Sequence, residues 1–465
     1  MIDNIEEKIN RPVIQYLILI AFTLLAALLR LYKLGEWSFW YDEIFTLRDL
    51  ASIFELSATN QQLSRWLIYA VVNLIGTSEF SSRLVPALVG VITIPILYFP
   101  TRKIFSPPTA LLFALFLAVS PWHLYWSQNA RFYTSLLLLY SLSLFLVYFG
   151  FEEDKPWYLV VALLLFGLAV LERLFAAMLV PVVAGYLISL KILPYEKPDG
   201  FRARNIWILI IPTVLIGLVG SYQFISNPEK WIVGFSWINN NPLWIISGII
   251  FYIGVPFICM GIVTAVYFLL DKQRSVLLLS WAAILPAVAI VVMSVFQYTA
   301  NRYVFVSLSA WLILSALGTW ELFRESRGRR WIVVSGVLLI MLLFSMSENV
   351  LYFQYQNGNR DDWKTAFTYV EERMAPGDMV VLNERLIGEY YLDKGEISHY
   401  QSLDYDTLPD TDNRYWFIVD NNVGDKYPEI LHWVIENGDL LENFDVNVRA
   451  RNFQMRIYLF DPILD

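Results

Sequence analysis

The chain has 465 residues, 57% of them hydrophobic and only 16% charged, with a mean hydropathy of +0.51. A soluble domain needs about 25% charged residues to cover its surface, so this composition excludes an ordinary water-soluble globule and points to an integral membrane protein. The net charge of −8 is less telling than its distribution, while a single cysteine (Cys259) and three scattered histidines (His123, His399, His432) exclude a disulfide framework and a Cys- or His-rich metal motif.

The first apolar stretch, 13–31, is about one bilayer crossing long. It lacks a small-residue cleavage site at its end and so reads as an anchor, not a removable signal. Directly after it comes Trp37-Ser38-Phe39-Trp40-Tyr41-Asp42-Glu43-Ile44-Phe45, two adjacent carboxylates among five aromatics. The shorter stretch 63–75 carries Arg65 and Asn73 and reads as a helix lying against the membrane surface. Ten further crossings, at roughly 20 residues each, fall at 82–100, 108–122, 132–150, 157–171, 174–190, 205–225, 243–270, 276–296, 303–322 and 331–351.

Charge sets the topology. With the N-terminus inside, the inner connections collect Lys8, Arg11, Arg102, Lys103, Lys155, Lys191, Lys197, Arg202, Arg204, Lys272, Arg274, Arg324, Arg327, Arg329 and Arg330. The outer connections keep little more than Arg131, Arg173, Lys230 and Arg302. This is the positive-inside pattern. Counting 63–75 as a crossing would invert every later helix, so eleven crossings are expected in all. The acidic pair, Gln128 to Arg131, Glu172-Arg173 and 297–302 then share the outer face.

After Tyr352 the composition changes. Stretches 361–374 and 427–436 read as helices, 379–382 and 415–419 as buried strands, and 453–460 alternates with the strand period. These suffice for one small α/β domain. The fold expected is a polytopic α-helical membrane protein, with residues 1–352 forming the transmembrane unit and its outer loop 32–81 carrying the acidic motif. Residues 353–465 would form an extracytoplasmic α/β domain on an inner-membrane protein whose N-terminus is cytoplasmic. No Walker or dinucleotide glycine motif occurs, which argues against a nucleotide site, and nothing suggests a nucleic-acid partner.

Four clusters can carry chemistry. Asp42 and Glu43 lie between membrane and water, with Trp40 and Tyr41 able to stack on a sugar; a base there could take the proton of an acceptor hydroxyl. Neighbouring residues point in different directions, so only one of the two acids need react. An ordinary interfacial loop would look similar. Arg131, beside Gln128, opens a long apolar helix and needs an anionic partner, either a phosphate or the acidic pair. Glu172-Arg173 interrupts an apolar stretch; left at mid-membrane each charge would cost about 2.5–3.5 kcal/mol, so a tight outer turn is expected, with the two pairing together or touching substrate. Arg302, between Tyr298 and Tyr303, sits where a lipid phosphate would lie and can bind it bidentately, or it can serve as a plain interfacial anchor.

The order of these motifs resembles family 39 glycosyltransferases: an acidic pair after the first crossing, Ser127-Gln128-Asn129-Ala130-Arg131-Phe132-Tyr133, then Asn301-Arg302-Tyr303 opening a late crossing. That family includes dolichyl-phosphate-mannose protein mannosyltransferases and lipid A aminoarabinose transferases, all of the GT-C fold. The resemblance covers roughly 13–351. It implies an inverting transfer of sugar from a polyprenyl-phosphate donor to a hydroxyl on a lipid, glycan or protein, on the outer face of the membrane. Asp42 would be the general base and Glu43 its neighbour in the acidic motif, the two forming the catalytic pair. Arg131, Arg302 and Tyr303 would meet the donor phosphate, and Trp40, Tyr41, Gln128, Tyr298, Glu172 and Arg173 the rest of the substrate. No cofactor is required, and a divalent metal is possible. Two departures stand out: Asn129 where relatives often carry an acid, and Asn60-Gln61-Gln62-Leu63 where they often show a Pro-Pro stretch. The competing readings are a lipid-linked polysaccharide ligase or polymerase, and a transporter or flippase.

Overall fold

The structure, a computed structural model, describes residues 9, 11–54, 62–226, 241–296, 299–326, 330–392, 395–408, 413–448, 451–452 and 454–462. Helix α1 (Pro12–Leu31) starts on a proline, whose missing N–H is no loss in a first turn. It turns Val13, Leu17, Ile20, Leu24 and Leu28 outward and buries Gln15, Leu19, Ala26 and Arg30. Apolar side chains outside and polar ones inside are what a helix facing lipid requires. A short helix, α2 (Tyr41–Leu50), carries the acidic pair, and α3 (Leu63–Ile75) corresponds to the proposed surface helix. With about 1.5 Å of rise per residue, α3 is too short for the roughly 30 Å hydrocarbon core.

Among the described residues, seven helical stretches are long and apolar enough to cross a membrane, and two bent pairs raise the number to nine. The seven include α1, α4 (Glu79–Ile104), Tyr133–Glu152, Leu174–Ile192, Arg274–Met293, Asn301–Arg324 and Arg330–Gln354. The remaining two of the eleven expected crossings correspond to Pro156–Glu172, one of the shorter apolar helices, and to the 24-residue helix Ala203–Ser226. An eleven-crossing count thus holds only if these two are added.

Both bends have local causes. Helices α5 (Pro107–Val119) and α6 (Pro121–Ser127) meet at 57°, because Pro121 has no N–H to give to the carbonyl of Leu117. The buried Arg30 guanidinium replaces it, donating to the carbonyls of Leu117 (3.1 Å) and Ala118 (2.9 Å). The stretch 243–270, expected as one straight crossing, is instead two helices, Pro242–Ile253 and Val255–Leu270, at 92°. Gly254 between them has φ +101°, and Pro256 follows. A Cβ on Gly254 would lie 2.6 Å from the Phe344 ring. Sequence length alone joined what backbone geometry divides.

Beyond Gln354 lies a five-stranded mixed sheet of β1 (Met379–Leu382), β2 (Glu396–His399), β3 (Tyr415–Asp420), β4 (Asp439–Phe444) and, after a small ribbon of β5 (Asn447–Val448) and β6 (Arg451–Asn452), β7 (Met455–Phe460). Its order is β2-β1-β3-β7-β4, parallel on the β2-β1-β3 side and antiparallel beyond. Strand β3 is buried along its whole length, as a central strand should be. Helices Trp363–Glu371 and Pro428–Asn437 match the two expected helical stretches. On one face Trp363, Phe367, Ile387 and Trp416 form a core that also takes in Phe39 and Ile44. The sheet domain therefore packs directly on the acidic segment.

Gly254→Ala should destabilise the protein by about 1–3 kcal/mol, the usual cost of a side chain held in such a backbone region. Gly336→Ala, on a straight helix with nothing within 4 Å of the added carbon, should leave stability unchanged or raise it. Thermal unfolding of the two variants in detergent tests the pair.

Candidate active site

Helix α2 begins because Trp40 is extended (φ −101°, ψ 169°) and because two acids occupy the first turn, where the helix dipole favours negative charge. The Trp40 N–H donates to Glu43 Oε2 at 3.4 Å. Adjacent residues on a helix diverge by about 100°, so the two carboxylates face different surroundings.

Glu43 points inward and is fully buried. Arg83 Nε donates to its Oε1 at 2.8 Å and Arg83 Nη2 to its Oε2 at 2.8 Å. Arg360 Nη1 reaches Oε2 at 3.1 Å, and the Ala130 N–H reaches Oε1 at 2.7 Å. Burial by itself would push this carboxyl up, but Arg83, Arg360 and the Ala130 N–H outweigh it and hold it below the usual carboxylate range. Each oxygen is taken by these donors and none of the group is open to solvent. The catalytic assignment expected for Glu43 does not fit this placement: it is a buried anchor.

Asp42 points the other way and keeps 21% of its side chain exposed. Arg302 Nη1 lies 2.9 Å from its Oδ2, and Arg131 Nη2 lies 3.7 Å from the same oxygen. Arg131 also donates through Nη1 to the Asp42 carbonyl (2.8 Å) and the Thr46 hydroxyl (2.9 Å), so part of its work is to fasten α2. Arg302 lies over the faces of Trp40 (5.6 Å) and Tyr303 (5.8 Å). The Trp40 indole donates to Asn129 Oδ1 at 2.6 Å, which is how the acid-free position of the second motif is used. Arg173, exposed, donates to the Tyr303 hydroxyl at 3.2 Å. The structure thus brings together Asp42, Arg131, Arg302, Trp40, Tyr303 and Arg173, drawn from four separate segments.

Other expected contacts lie elsewhere. Glu172 is buried and caps α3, accepting from the Ser64 N–H (3.0 Å) and the Ser64 hydroxyl (2.7 Å). It pairs with a helix N-terminus and not with Arg173. Gln128 is buried too: its amide donates to the carbonyls of Arg30 (3.1 Å) and Tyr32 (2.7 Å) at the end of α1, and it accepts from the Tyr352 hydroxyl (2.9 Å). Both residues, expected to meet substrate, satisfy helix ends here, where unpaired backbone groups need partners. Tyr41 is partly exposed and packs edge-on against Phe45. Tyr298 lies outside the described residues.

Sequence reading missed Arg83 and Arg360. The first had a signal, since an arginine at the head of the apolar stretch 82–100 demands a counter-charge. The second had none.

Residues 62–219 match the family model of dolichyl-phosphate-mannose-protein mannosyltransferase. The structure is similar to that of ArnT from Cupriavidus metallidurans in the apo state, at 12% identity over 95% of this chain and 97% of that one, with a TM-score of 0.58. ArnT bound to undecaprenyl phosphate matches with the same identity and coverage and a TM-score of 0.55. AglB, the oligosaccharyltransferase of Archaeoglobus fulgidus, solved with an inhibitory peptide and a dolichol-phosphate, matches at 12% identity over 95% of this chain and 74% of that one, with a TM-score of 0.57. None of the curated proteins compared matches. The structural likeness establishes a GT-C membrane fold, and with the family model it fits a glycosyltransferase of the family 39 type.

An oligosaccharyltransferase of Archaeoglobus fulgidus in complex with Zn and sulfate matches at 12% identity over 94% of this chain and 72% of that one, with a TM-score of 0.58. Around Asp42, however, the donor set does not fit a divalent cation. Glu43 is committed to two arginines, Asn129 is a neutral amide engaged by Trp40, and two guanidiniums already face Asp42. Among the described residues, no three His, Cys, Asp or Glu side chains converge.

Glu43→Gln should cost about 3–5 kcal/mol by leaving buried guanidiniums uncompensated. Because the carboxyl is held low in the folded state, its stabilisation is fully present above the unfolded value of about 4.3 and is lost as pH falls through the folded one. Melting curves from pH 3 to 8 should therefore converge for wild type and variant only at the acid end.

Proposed function

We propose that this chain is an inverting membrane glycosyltransferase that moves a sugar from a polyprenyl-phosphate donor to a hydroxyl on a lipid, glycan or protein acceptor, with Asp42 as general base. The observation that carries the reading is the division of the acidic pair: one carboxylate buried and saturated, the other partly open, with Arg302 and Arg131 facing it and Arg173 closing the ring through Tyr303. That ring suits a phosphate, which takes bidentate guanidinium contacts. The resemblance to proteins solved with undecaprenyl phosphate and dolichol-phosphate supports the donor class. The inner-loop basic residues support an N-terminus inside, with the site and the sheet domain on the outer face.

The chemistry follows from charge. Without a donor, Arg302 and Arg131 neutralise Asp42. A donor phosphate entering the ring competes for the same guanidiniums and frees the carboxylate to accept the acceptor's proton. As that O–H bond breaks, the oxygen attacks the anomeric carbon from the face opposite the phosphate. The anomeric C–O bond breaks, and its electron pair leaves with the polyprenyl phosphate. Arg173 and Arg302 compensate the charge gathering on that leaving group, so no general acid is needed. Trp40 offers a ring face beside the reacting centre. Glu43 orients α2 and takes no proton. In a transporter, charges would line a path through the bilayer; here Asp42, Arg131, Arg173 and Arg302 cluster at the helix ends that the charge pattern assigns to the outer face.

In the purified protein given a panel of polyprenyl-phosphate sugars and membrane extract, Asp42→Asn should lower release of polyprenyl phosphate by about 10²- to 10⁴-fold, the usual worth of a general base. Arg173→Ala should act differently. It should raise the donor KM and lower kcat together, reducing kcat/KM about 10- to 100-fold, the loss of one charge-assisted hydrogen bond that strengthens as charge gathers on the leaving group. Turnover that survives Asp42→Asn would move the base, and no turnover with any donor would count against the reaction class.

A further inference from the structure

We infer that Arg360 is a positioning residue for this reaction, a clamp by which the C-terminal domain holds the two segments that form the active centre. The inference rests on the proposed function for its link to catalysis, and on geometry alone for the clamp. Arg360 follows the last long helix, Arg330–Gln354, yet it is buried among residues hundreds of positions earlier. Its Nη1 donates to Glu43 Oε2 (3.1 Å) and to the Ser38 carbonyl (3.4 Å); its Nη2 donates to the Gln128 carbonyl (3.3 Å). One planar guanidinium therefore ties the segment ending in Asp42 and Glu43 to the segment leading to Arg131. A flexible ammonium could not span both walls in this way.

The backbone that delivers it is unusual. Asn357, Gly358 and Asn359 all have positive φ, at +44°, +63° and +57°. Three successive left-handed residues cost free energy and persist only where the surroundings impose them; Asn and Gly are the residues that bear them best. Gly358 comes so close to Trp37 that a Cβ there would lie 2.6 Å from the indole. The turn reverses the chain and drives Arg360 back under the acidic segment, where Arg360 Nε donates to the Gly358 carbonyl at 3.2 Å. Neighbouring contacts work in the same direction. The Lys364 N–H donates to the Ser38 hydroxyl (3.0 Å), Lys364 Nζ pairs with Glu79 (3.1 Å), and the Tyr391 hydroxyl accepts from the Phe39 N–H (2.7 Å). Arg360 differs from these in touching both walls and the buried carboxylate itself. The sheet domain is accordingly part of the active centre's frame, acting on Asp42 through Glu43 and on Arg131 through Gln128.

The test uses full-length protein with Arg360→Gln and Arg360→Lys, measured by amide hydrogen exchange and by donor turnover normalised to bound polyprenyl phosphate, so that a smaller folded fraction does not count. Arg360→Gln should speed exchange about tenfold or more in both 38–43 and 128–131, as expected when hydrogen bonds to a charged group are lost. It should lower turnover per bound donor about 10- to 100-fold with donor KM within about threefold, and Arg360→Lys should recover part of both, since charge returns without the fork. Exchange and turnover at wild-type levels in Arg360→Gln would overturn the proposal. So would a rise in KM with kcat unchanged, which would make Arg360 a donor-binding group. If wild type itself turns over no donor, the function reading fails while the exchange measurement still decides the clamp; should Arg360→Gln not fold, exchange in Arg360→Lys decides it.

Discussion

A carboxylate removed from water has to be compensated by its surroundings, and the burial of Glu43 is the constraint on which the rest of this structure depends. Its partners come from three distant places: Arg83 from α4, the Ala130 N–H from the turn after α6, and Arg360 from beyond the last long helix. Four segments that share no local sequence are thereby fixed around two oxygen atoms. A single displaced partner would leave an uncompensated charge in an apolar setting, which is far more costly than the intact network is stabilising. The network's value lies in fixing one arrangement of the chain.

The consequence for chemistry is geometric. Once Glu43 is held inward, the helical step of about 100° leaves Asp42 on the open side. There Arg302 meets it at 2.9 Å and Arg131 at 3.7 Å. The arginines divide the work accordingly. Arg83 and Arg360 are buried and serve the fold, Arg131 fastens α2 and faces the site, and Arg302 and Arg173 remain partly or wholly exposed. Two adjacent acids of similar intrinsic strength acquire different roles from their surroundings alone.

Much of the fold was legible because lipid imposes simple rules. Apolar stretches located the long helices to within a few residues, and the motif order pointed to the GT-C fold that the structural likeness establishes. Where reading by length went wrong, the cause was local: Gly254-Val255-Pro256 was visible in the sequence, but a continuous apolar stretch hid the bend. The polar groups of the site were found as clusters, and their roles were harder to assign. Gln128 and Glu172 look like substrate ligands because outer-loop polar residues serve ligands and helix ends equally well; only contacts show that they serve α1 and α3. Arg83 could have been inferred from its cost in an apolar stretch. Arg360 could not, since nothing in a sequence marks a partner 317 positions from Glu43.

In the proposed reaction the open carboxylate and its ring of guanidiniums receive a lipid phosphate. The measurement that addresses it most directly is a structure of the protein in a lipid disc with a polyprenyl phosphate bound. The phosphate should lie within hydrogen-bond reach of Arg302 and Arg173, with the Arg302 contact to Asp42 loosened and Glu43 unmoved. A phosphate held at the opposite end of the helices, among the inner-loop lysines and arginines, with the Asp42–Arg302 pair intact, would contradict it.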